Sequence, residues 1–420
     1  VVTEAENELI TRIEGDAPLG HLMTANYWVP FAKSEHLVKD DRPIPVRLFG
    51  EDYVAFRGED GKIGFLDEHC PHRQASLVLG RIEGNCVRCI YHGWAIDTSG
   101  TVVDVPNQAT RKEAFAASVK VSHFPVHECG GIAWVWLGGG ETPAFPELPF
   151  EDEDLHRFWV VSRVPCNWLQ GLEGTIDSVH AGMLHRTWIE LAATLAEHSN
   201  MSFALESPTY ETEFTSYGMR AAALRATSDG RTYVRITEHL SPFVTVIPVG
   251  ATLERTGSVF LVTPVDDTHH LLFFGTFGDS PHSGVPLHQI AMQAADYVPE
   301  DDHDFSGLRG DRSNAWGQDR ELMASGHFTG IGRSLLEEDA VVQTSMGPIV
   351  DRSKETLSSS DVAVAQNRRL LLDAISAVEA GELPPGSARS AEPVRVPNGI
   401  ELLVDEGQSW RDMAFEPASS

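Results

Sequence analysis

Cationic residues are scarce in this chain. Its 420 residues include 32 Lys and Arg against 61 Asp and Glu, a net charge of −29 with neutral histidine. A nucleic-acid binder needs a basic footprint to displace counterions from phosphate, so this balance argues against such a partner. Long apolar runs are missing as well. No stretch approaches the ~20 residues that cross a bilayer, so no membrane partner is expected. Residues 1–10 are acidic and polar and hold no secretory apolar core. A cytoplasmic location is the expectation that follows. Cysteine occurs only five times, which excludes a disulfide framework and leaves metal binding as the better use for a thiol. What is present is ordinary globular material, 42% hydrophobic and 22% charged. A single core stops growing near ~250–300 residues, so two domains are expected.

Along the chain, residues 6–37 look partly helical and then give way to loop punctuated by Pro30, Pro43 and Pro45. Short β-rich runs at 46–49, 53–56, 63–66 and 132–137 alternate with Gly and Asp turns, the pattern of a small antiparallel β domain. Gly138-Gly139-Gly140, three prolines (Pro143, Pro146, Pro149) and the acidic run 151–154 mark a boundary. Beyond it, one helical segment (169–184) precedes β-like runs at 232–238, 244–247, 258–264 and 270–277, which read as a second antiparallel sheet. The polar stretch 279–313 reads as a surface insertion. Ser360 is the expected N-cap of a helix over 361–380, with Val362, Ala365, Leu372, Ile375 and Val378 at helical spacing and Gly381 and Pro384-Pro385 stopping it. The class is α+β. The expected divisions are an N-terminal helical segment (1–45) packed on the second domain, a β domain (46–150), the second domain (151–385) and a loosely held tail (386–420).

Two constellations carry chemistry. In the first, Cys70-Pro71-His72 and Cys89-Ile90-Tyr91-His92 are separated by sixteen residues. Thiolate and imidazole donors together select zinc or iron–sulfur iron. Zinc fingers usually pair like donors within a loop, whereas each loop here offers one of each. A two-iron cluster with two Cys on one iron and two His on the other is satisfied if each loop feeds both irons, which is the Rieske arrangement. A mixed zinc site is the alternative. Cys86 lies in a Cys86-x-x-Cys89 pair but would strand Cys70 and both histidines, so it is read as a structural thiol, and Cys129 and Cys166 as packing residues.

The second constellation is Glu173, Asp177, His180 and His185. On one helix Glu173, Asp177 and His180 share a face, but five residues at ~100° each put His185 ~140° away from His180. Both histidines reach one metal only if the helix widens or ends between them, which Gly182 permits. Two His and one carboxylate form the facial triad that binds Fe(II) and leaves positions open for O₂. The carboxylate must come from elsewhere, with Asp339 as the best candidate and Glu338 and Asp319 as runners-up.

The run from Cys70-Pro-His-Arg through Gly80-Arg81 to Cys89-Ile-Tyr-His92-Gly-Trp94 resembles the Rieske domains of the Rieske non-haem iron oxygenases, and the likeness extends over nearly the whole chain. Respiratory Rieske proteins carry an extra Cys in each loop, and the first loop here, Cys70 to Leu77, has one. Gln318–Gly330 and Ser345–Ser353 look like the phthalate-dioxygenase and phenoxybenzoate-dioxygenase branch, which includes aryl-ether O-demethylases. The resemblance implies an N-terminal antiparallel β Rieske domain and a helix-grip (START-like) catalytic domain, with an antiparallel sheet closed by a long C-terminal helix. It implies a [2Fe-2S] Rieske cluster on Cys70, His72, Cys89 and His92 and mononuclear Fe(II) on His180, His185 and Asp339. Asp177 then bridges His180 to His72 or His92 of the next subunit in a homotrimer or stacked trimers. A reductase, with or without a ferredoxin, supplies electrons, and an aromatic small molecule and O₂ are the substrates. Arg235 is either a contact for a substrate carboxylate or half of a structural ion pair, the commoner use. The competing readings are a Rieske electron carrier lacking the second centre and a zinc-stapled interaction module.

Overall fold

The computed structural model describes residues 2–39, 41–195, 208–248, 255–279, 308, 310–331 and 335–412, with backbone alone for 191–195. Helices α1 (Glu4–Thr11) and α2 (Pro18–Asn26) open the chain. A Thr3/Glu6 capping box satisfies the first amides of α1, and Pro18 supplies a preset φ at the start of α2. Short strands follow: β1 (Trp28–Lys33), β2 (Ile44–Leu48), β3 (Glu51–Arg57), β4 (Ile63–Asp67), β5 (Arg81–Glu83), β6 (Cys86–Arg88), β7 (Ala95–Asp97) and β8 (Val102–Asp104). After helix α3 (Lys112–Ser118) come β9 (Val126–Cys129) and β10 (Ile132–Trp136). Among the described residues they form three antiparallel sheets, ordered β1-β10-β9, β2-β3-β4 and β5-β6-β7-β8. β10 is buried at every position because it is the central strand of its sheet and is covered on both faces.

The stretch expected to be loop after the first helices is therefore partly strand. Pro30 is tolerated in β1 because the register shifts between Pro30 and Ala32, where the ladder does without its missing amide. β2 runs through position 45, where a division was expected, because Ile44, Val46 and Leu48 alternate into the core.

The second domain contains β11 (His156–Val164), α4 (Trp168–Ile176), α5 (His180–Leu184), α6 (Arg186–Leu195), β12 (Thr209–Phe214), β13 (Gly218–Ala226), β14 (Thr232–Leu240), β15 (Val244–Ile247), β16 (Gly257–Asp266) and β17 (His269–Gly278). Then come α7 (Arg320–Ala324), α8 (Leu335–Ser345), α9 (Val362–Glu379) and β18 (Ile400–Val404). The antiparallel sheet is ordered β11-β17-β16-β15-β14-β13-β12, with β18 beside β14. One face holds α4 so closely that a Cβ on Gly171 would lie 2.3 Å from His270 Nε2. The other face meets the β domain, where Trp159 Nε1 donates to Gly130 O at 2.8 Å. One large hydrophobic core runs through both domains, and a smaller one surrounds Cys70, Cys89 and Trp94. Helix α9 packs against β12, α1 and α2.

The structure departs from the sequence expectations in several places. The segment 169–184 is not one helix but α4 and α5, broken at Asp177. The run Gly218–Ala226 is rich in alanine, a helix former, yet it is a strand, because pairing with β12 and β14 and burial on the sheet override intrinsic propensity. The tail is held through its described residues, 386–412, since β18 pairs with β14 and Trp410, 2% exposed, donates to Glu211 Oε2 at 2.8 Å. The expected cap Ser360 lies in a short 3₁₀ turn, Ser359–Asp361, that leads into α9. Ser358 caps that turn, its hydroxyl accepting from the Ser360 amide in a capping box with Asp361, and Asp361 stands at the N-cap of α9 without a side-chain bond. Most of the expected insertion at 279–313 lies outside the described residues.

Glu173 does not share a face with Asp177 and His180. It accepts from Arg352 Nη2 at 3.0 Å and from Arg368 Nε at 2.7 Å, and Arg368 also reaches Glu355 at 2.6 Å. Burial opposes ionisation of Glu173, and the two guanidiniums outweigh it and hold the carboxyl below its ordinary range. The cluster ties α4 to α9 and to the turn Arg352–Lys354. Breaking a buried ion cluster leaves uncompensated charge, so Glu173→Ala is expected to destabilise the protein by roughly 3–5 kcal/mol in denaturant unfolding. A variant as stable as the parent contradicts this reading.

Candidate metal centres

The first centre is made by two hairpin-like loops, one after β4 and one between β6 and β7. Each loop closes on itself. The Gln74 amide donates to Cys70 O and the Cys70 amide to Ala75 O, both at 2.9 Å. The Gly93 amide donates to Cys89 O at 2.9 Å and the Cys89 amide to Trp94 O at 2.8 Å. Gly93 has φ +77° and a Cβ there would sit 3.1 Å from Pro106 Cγ, so the tight second loop needs glycine. Both thiols are 2% exposed. Burial and the adjacent Cys89 thiol push Cys70 up to about 11, while the His72 and Arg73 amides point at its sulfur. The His72 and His92 rings lie 4.5 Å apart. Two desolvated sulfurs beside two imidazoles are a donor set that a cationic iron cluster satisfies.

Trp94 stacks on His72, with ring centroids 4.9 Å apart and planes 6° from parallel. Its indole Nε1 donates to Asn107 Oδ1 at 2.7 Å, and Asn107 Nδ2 lies 3.4 Å from His72 Nε2. Asn107 carried no signal in the sequence, since it belongs to neither ligand loop and joins them only through the turn after β8. The tip is apolar and exposed: Leu79 (64%), Ile90 (61%) and Tyr91 (55%). Cys86 is half-buried and Cys129 and Cys166 are buried, all free thiols.

The second centre lies on α5 and α8. The chain leaves helical geometry at Asp177, whose φ is −78° and ψ 112°. Its carboxylate then accepts from the Val179 amide at 2.8 Å and lies 3.4 Å from the His180 amide, restarting the helix at His180. His185 ends α5 with φ −93° and ψ 16°. The His185 amide still donates to Ala181 O at 3.2 Å, so, against expectation, the helix neither widens nor ends between the two histidines. They stand at the two ends of the short α5, and their rings nevertheless come within 5.2 Å, centroid to centroid. His180 Nε2 and His185 Nε2 lie 3.4 and 3.3 Å from Asp339 Oδ1. One ligand atom from each of the three residues lies within 4.8 Å of the others.

A second carboxylate backs each imidazole. Asp177 Oδ2 stands 3.4 Å from His180 Nδ1, an ion-pair contact. Glu338 Oε2 is 2.8 Å from His185 Nδ1. Burial opposes charge on His185, and Asp339 and Glu338 overcome it, raising the ring to about 9. Burial also works against ionisation of Asp339 and Asp177, and the histidine rings outweigh it and keep both carboxyls below their ordinary range. Burial pushes Glu338 up, and His185 and Thr329 offset only part of that. Of the three candidate carboxylates, Asp339 meets both histidines. Glu338 meets one from behind, and Asp319 caps α7 by accepting from the Glu321 and Leu322 amides. Arg235 lies 3.6 Å from Glu401 on β18 and donates to Pro248 O, the ion-pair use.

Fold and centres together define a class: a Rieske domain joined to a helix-and-sheet domain with a two-histidine, one-carboxylate site. Comparison with known proteins agrees. Residues 27–125 match the Rieske [2Fe-2S] domain family, and residues 135–419 the family described as LigXa C-terminal domain like. The chain is 36% identical over 429 residues to the phthalate 4,5-dioxygenase oxygenase subunit of Pseudomonas putida, covering 98% of this chain and 94% of that protein. It is 34% identical over 430 residues to the 3-chlorobenzoate-3,4-dioxygenase oxygenase subunit of Comamonas testosteroni, covering 98% and 97%. The crystal structure of dicamba monooxygenase bound to dicamba, 18% identical, shares the fold with a TM-score of 0.61 over 86% of this chain and 100% of that one. The chain belongs to the oxygenase subunits of the Rieske non-haem iron oxygenases, whose cofactors are a [2Fe-2S] cluster and mononuclear iron.

Asn107→Ala leaves a buried indole N–H without its partner, a cost of roughly 1–3 kcal/mol. The expected result is bleaching of the cluster's visible absorption at a lower temperature, with unfolding of the second domain unchanged. Bleaching at the parent temperature counts against the clamp.

Proposed function

We propose that this chain is the terminal oxygenase component of a multicomponent system, using O₂ and electrons from a reductase, with or without a ferredoxin, to hydroxylate or oxidatively dealkylate an aromatic substrate. The observation that carries this reading is the convergence of His180, His185 and Asp339 within 4.8 Å. A Rieske electron carrier has no need of a second donor set, and a zinc staple has no need of two. When bound, the iron supplies the open positions at which O₂ is activated beside the substrate. Cys70 and Cys89 would hold one iron of the cluster and His72 and His92 the other, and Asp339 would supply the single anionic ligand of the mononuclear site. Glu338 fixes the tautomer of His185 so that its Nε2 lone pair is turned toward the metal position beside Asp339, and Asp177 places its charge behind His180. An aryl carboxylate is the first substrate class to test, in keeping with the names of the two relatives. Methoxy-aromatics, diaryl ethers and N-alkyl anilides follow.

Electrons are proposed to cross between subunits of a homotrimer. Supporting this are the exposed apolar tip at Leu79, Ile90 and Tyr91 and the exposed Met183 between the two iron histidines in sequence. Both are surfaces that suit a second copy of the chain. Asp177 stands at the edge of the iron site with its side chain 24% exposed, open to an imidazole from a neighbour. The cytoplasm is the compartment this reading implies, and five free thiols agree with it.

His180→Ala is expected to keep the cluster spectrum, lower iron from about three to about two per chain, and abolish product and coupled oxygen uptake. Unchanged turnover with a reconstituted reductase sinks the iron-site reading. Asp177→Ala is expected to retain both metals yet stop multiple turnover. Steady-state activity at the parent rate removes the bridging role.

A further inference from the structure

The run Gln318–Gly330, one of the two stretches resembling the phthalate-dioxygenase branch, contains neither cluster ligands nor the residues that meet at the iron site. Its side chains nevertheless reach that site. Thr329 Oγ1 donates to Glu338 Oε1 at 2.5 Å, and the other oxygen of Glu338 takes His185 Nδ1 at 2.8 Å. Thr329, Glu338 and His185 are all buried. The threonine hydroxyl has one proton. It accepts from the Ile331 amide at 3.1 Å, and its proton goes to the near Glu338 oxygen in preference to His327 Nδ1, which lies 3.4 Å away.

The segment is closed at its base. Gln318 Nε2 donates to Thr329 O at 2.7 Å and the Asp319 amide to Gly330 O at 2.9 Å. Gly330 has φ +71°, and a Cβ there would lie 2.4 Å from Asp319 O, so only glycine allows the closure. Asp319 caps α7, and the Phe328 amide donates to Thr187 Oγ1 at 3.0 Å, two residues beyond His185. The loop is thus fastened to its own start and to the helix that follows the ligand histidine.

We infer that residues 318–331 form a strap that sets the orientation of His185, with Thr329 as the positioning residue acting through Glu338. With both Glu338 oxygens engaged, the carboxylate cannot rotate. His185 must then present Nδ1–H to it and Nε2 to Asp339, 3.3 Å away. This rests on the proposed iron site, and the test separates the two.

The probe is Co(II), titrated anaerobically into full-length protein that carries its cluster but has had mononuclear iron removed. Binding is followed by the Co(II) ligand-field bands and by competition with a chelator. Thr329→Val is expected to weaken Co(II) binding by roughly 10–100-fold and shift the bands. Thr329→Ser, which keeps the hydroxyl, is expected to restore both. Gln318→Ala, which opens the strap at its base, is expected to weaken binding in the same direction but less. Parent affinity and bands in both Thr329→Val and Gln318→Ala overturn the strap. If Thr329→Val loses its cluster absorption and fails to fold, Gln318→Ala decides by the same criterion. His185→Ala is the control. If it too binds Co(II) like the parent, the iron-site reading fails; if it alone loses the metal, only the strap fails.

Discussion

Three carboxylates gather around two imidazoles in the interior of the second domain. Asp339 faces both rings, Asp177 stands behind one and Glu338 behind the other. With neutral histidines, as metal ligands must be, this concentrates negative charge at a site where Asp339 and Glu338 are buried. Such a group is costly to bury unless a cation shares the space, and a divalent ion is the natural counter-charge. The site is therefore assembled against a cost, and the surrounding structure is what holds it together in advance of the metal.

Much of the sequence outside the ligands serves that purpose. Asn167 accepts from the Leu169 amide and donates to Thr11 O and Asp267 O, so the start of α4 is tied to the N-terminal helix and to the β16–β17 turn. Gln170 donates to Gln343 O and Gly347 O and accepts from the Val350 amide, which lays the 345–353 stretch along α4. Arg352 from the same stretch reaches Glu173. The N-terminal segment, α4 and the region after α8 are thus one buried polar assembly, in which removing any member leaves others without partners. The 318–331 segment does the corresponding work on the far side, through Thr329.

The cluster domain follows a different logic. Its sulfurs are deep and its histidine edge lies at the surface, beside apolar side chains and Arg73, which sits 5.5 Å over the Tyr91 ring. Burying the thiolates protects them and strengthens amide–sulfur bonds, while an exposed imidazole edge is a suitable exit for an electron. Trp94 reconciles the two, being buried in the small core and stacked flat on the His72 ring.

The sequence determined the donor sets. Cys70, His72, Cys89 and His92 fall in two short loops of mixed donors, and that spacing is local chemistry that survives without a structure. Eight of the eighteen described strands were legible as well, because β-branched runs such as Val244–Ile247 favour a buried pleated strand. The alanine-rich β13, the held tail and Asn107 were not legible, because each is decided by a neighbour far away in sequence. The resemblance already preferred Asp339 to Glu338 and Asp319, but only the tertiary structure shows what each of the three carboxylates faces. Three acidic residues look alike in a linear chain; their roles separate only when helix geometry turns one side chain to both rings, another to the back of His185 and leaves the third capping a helix. The break at Asp177, which starts a new short helix at His180, was likewise a matter of backbone amides finding a carboxylate, and only the folded chain supplies that.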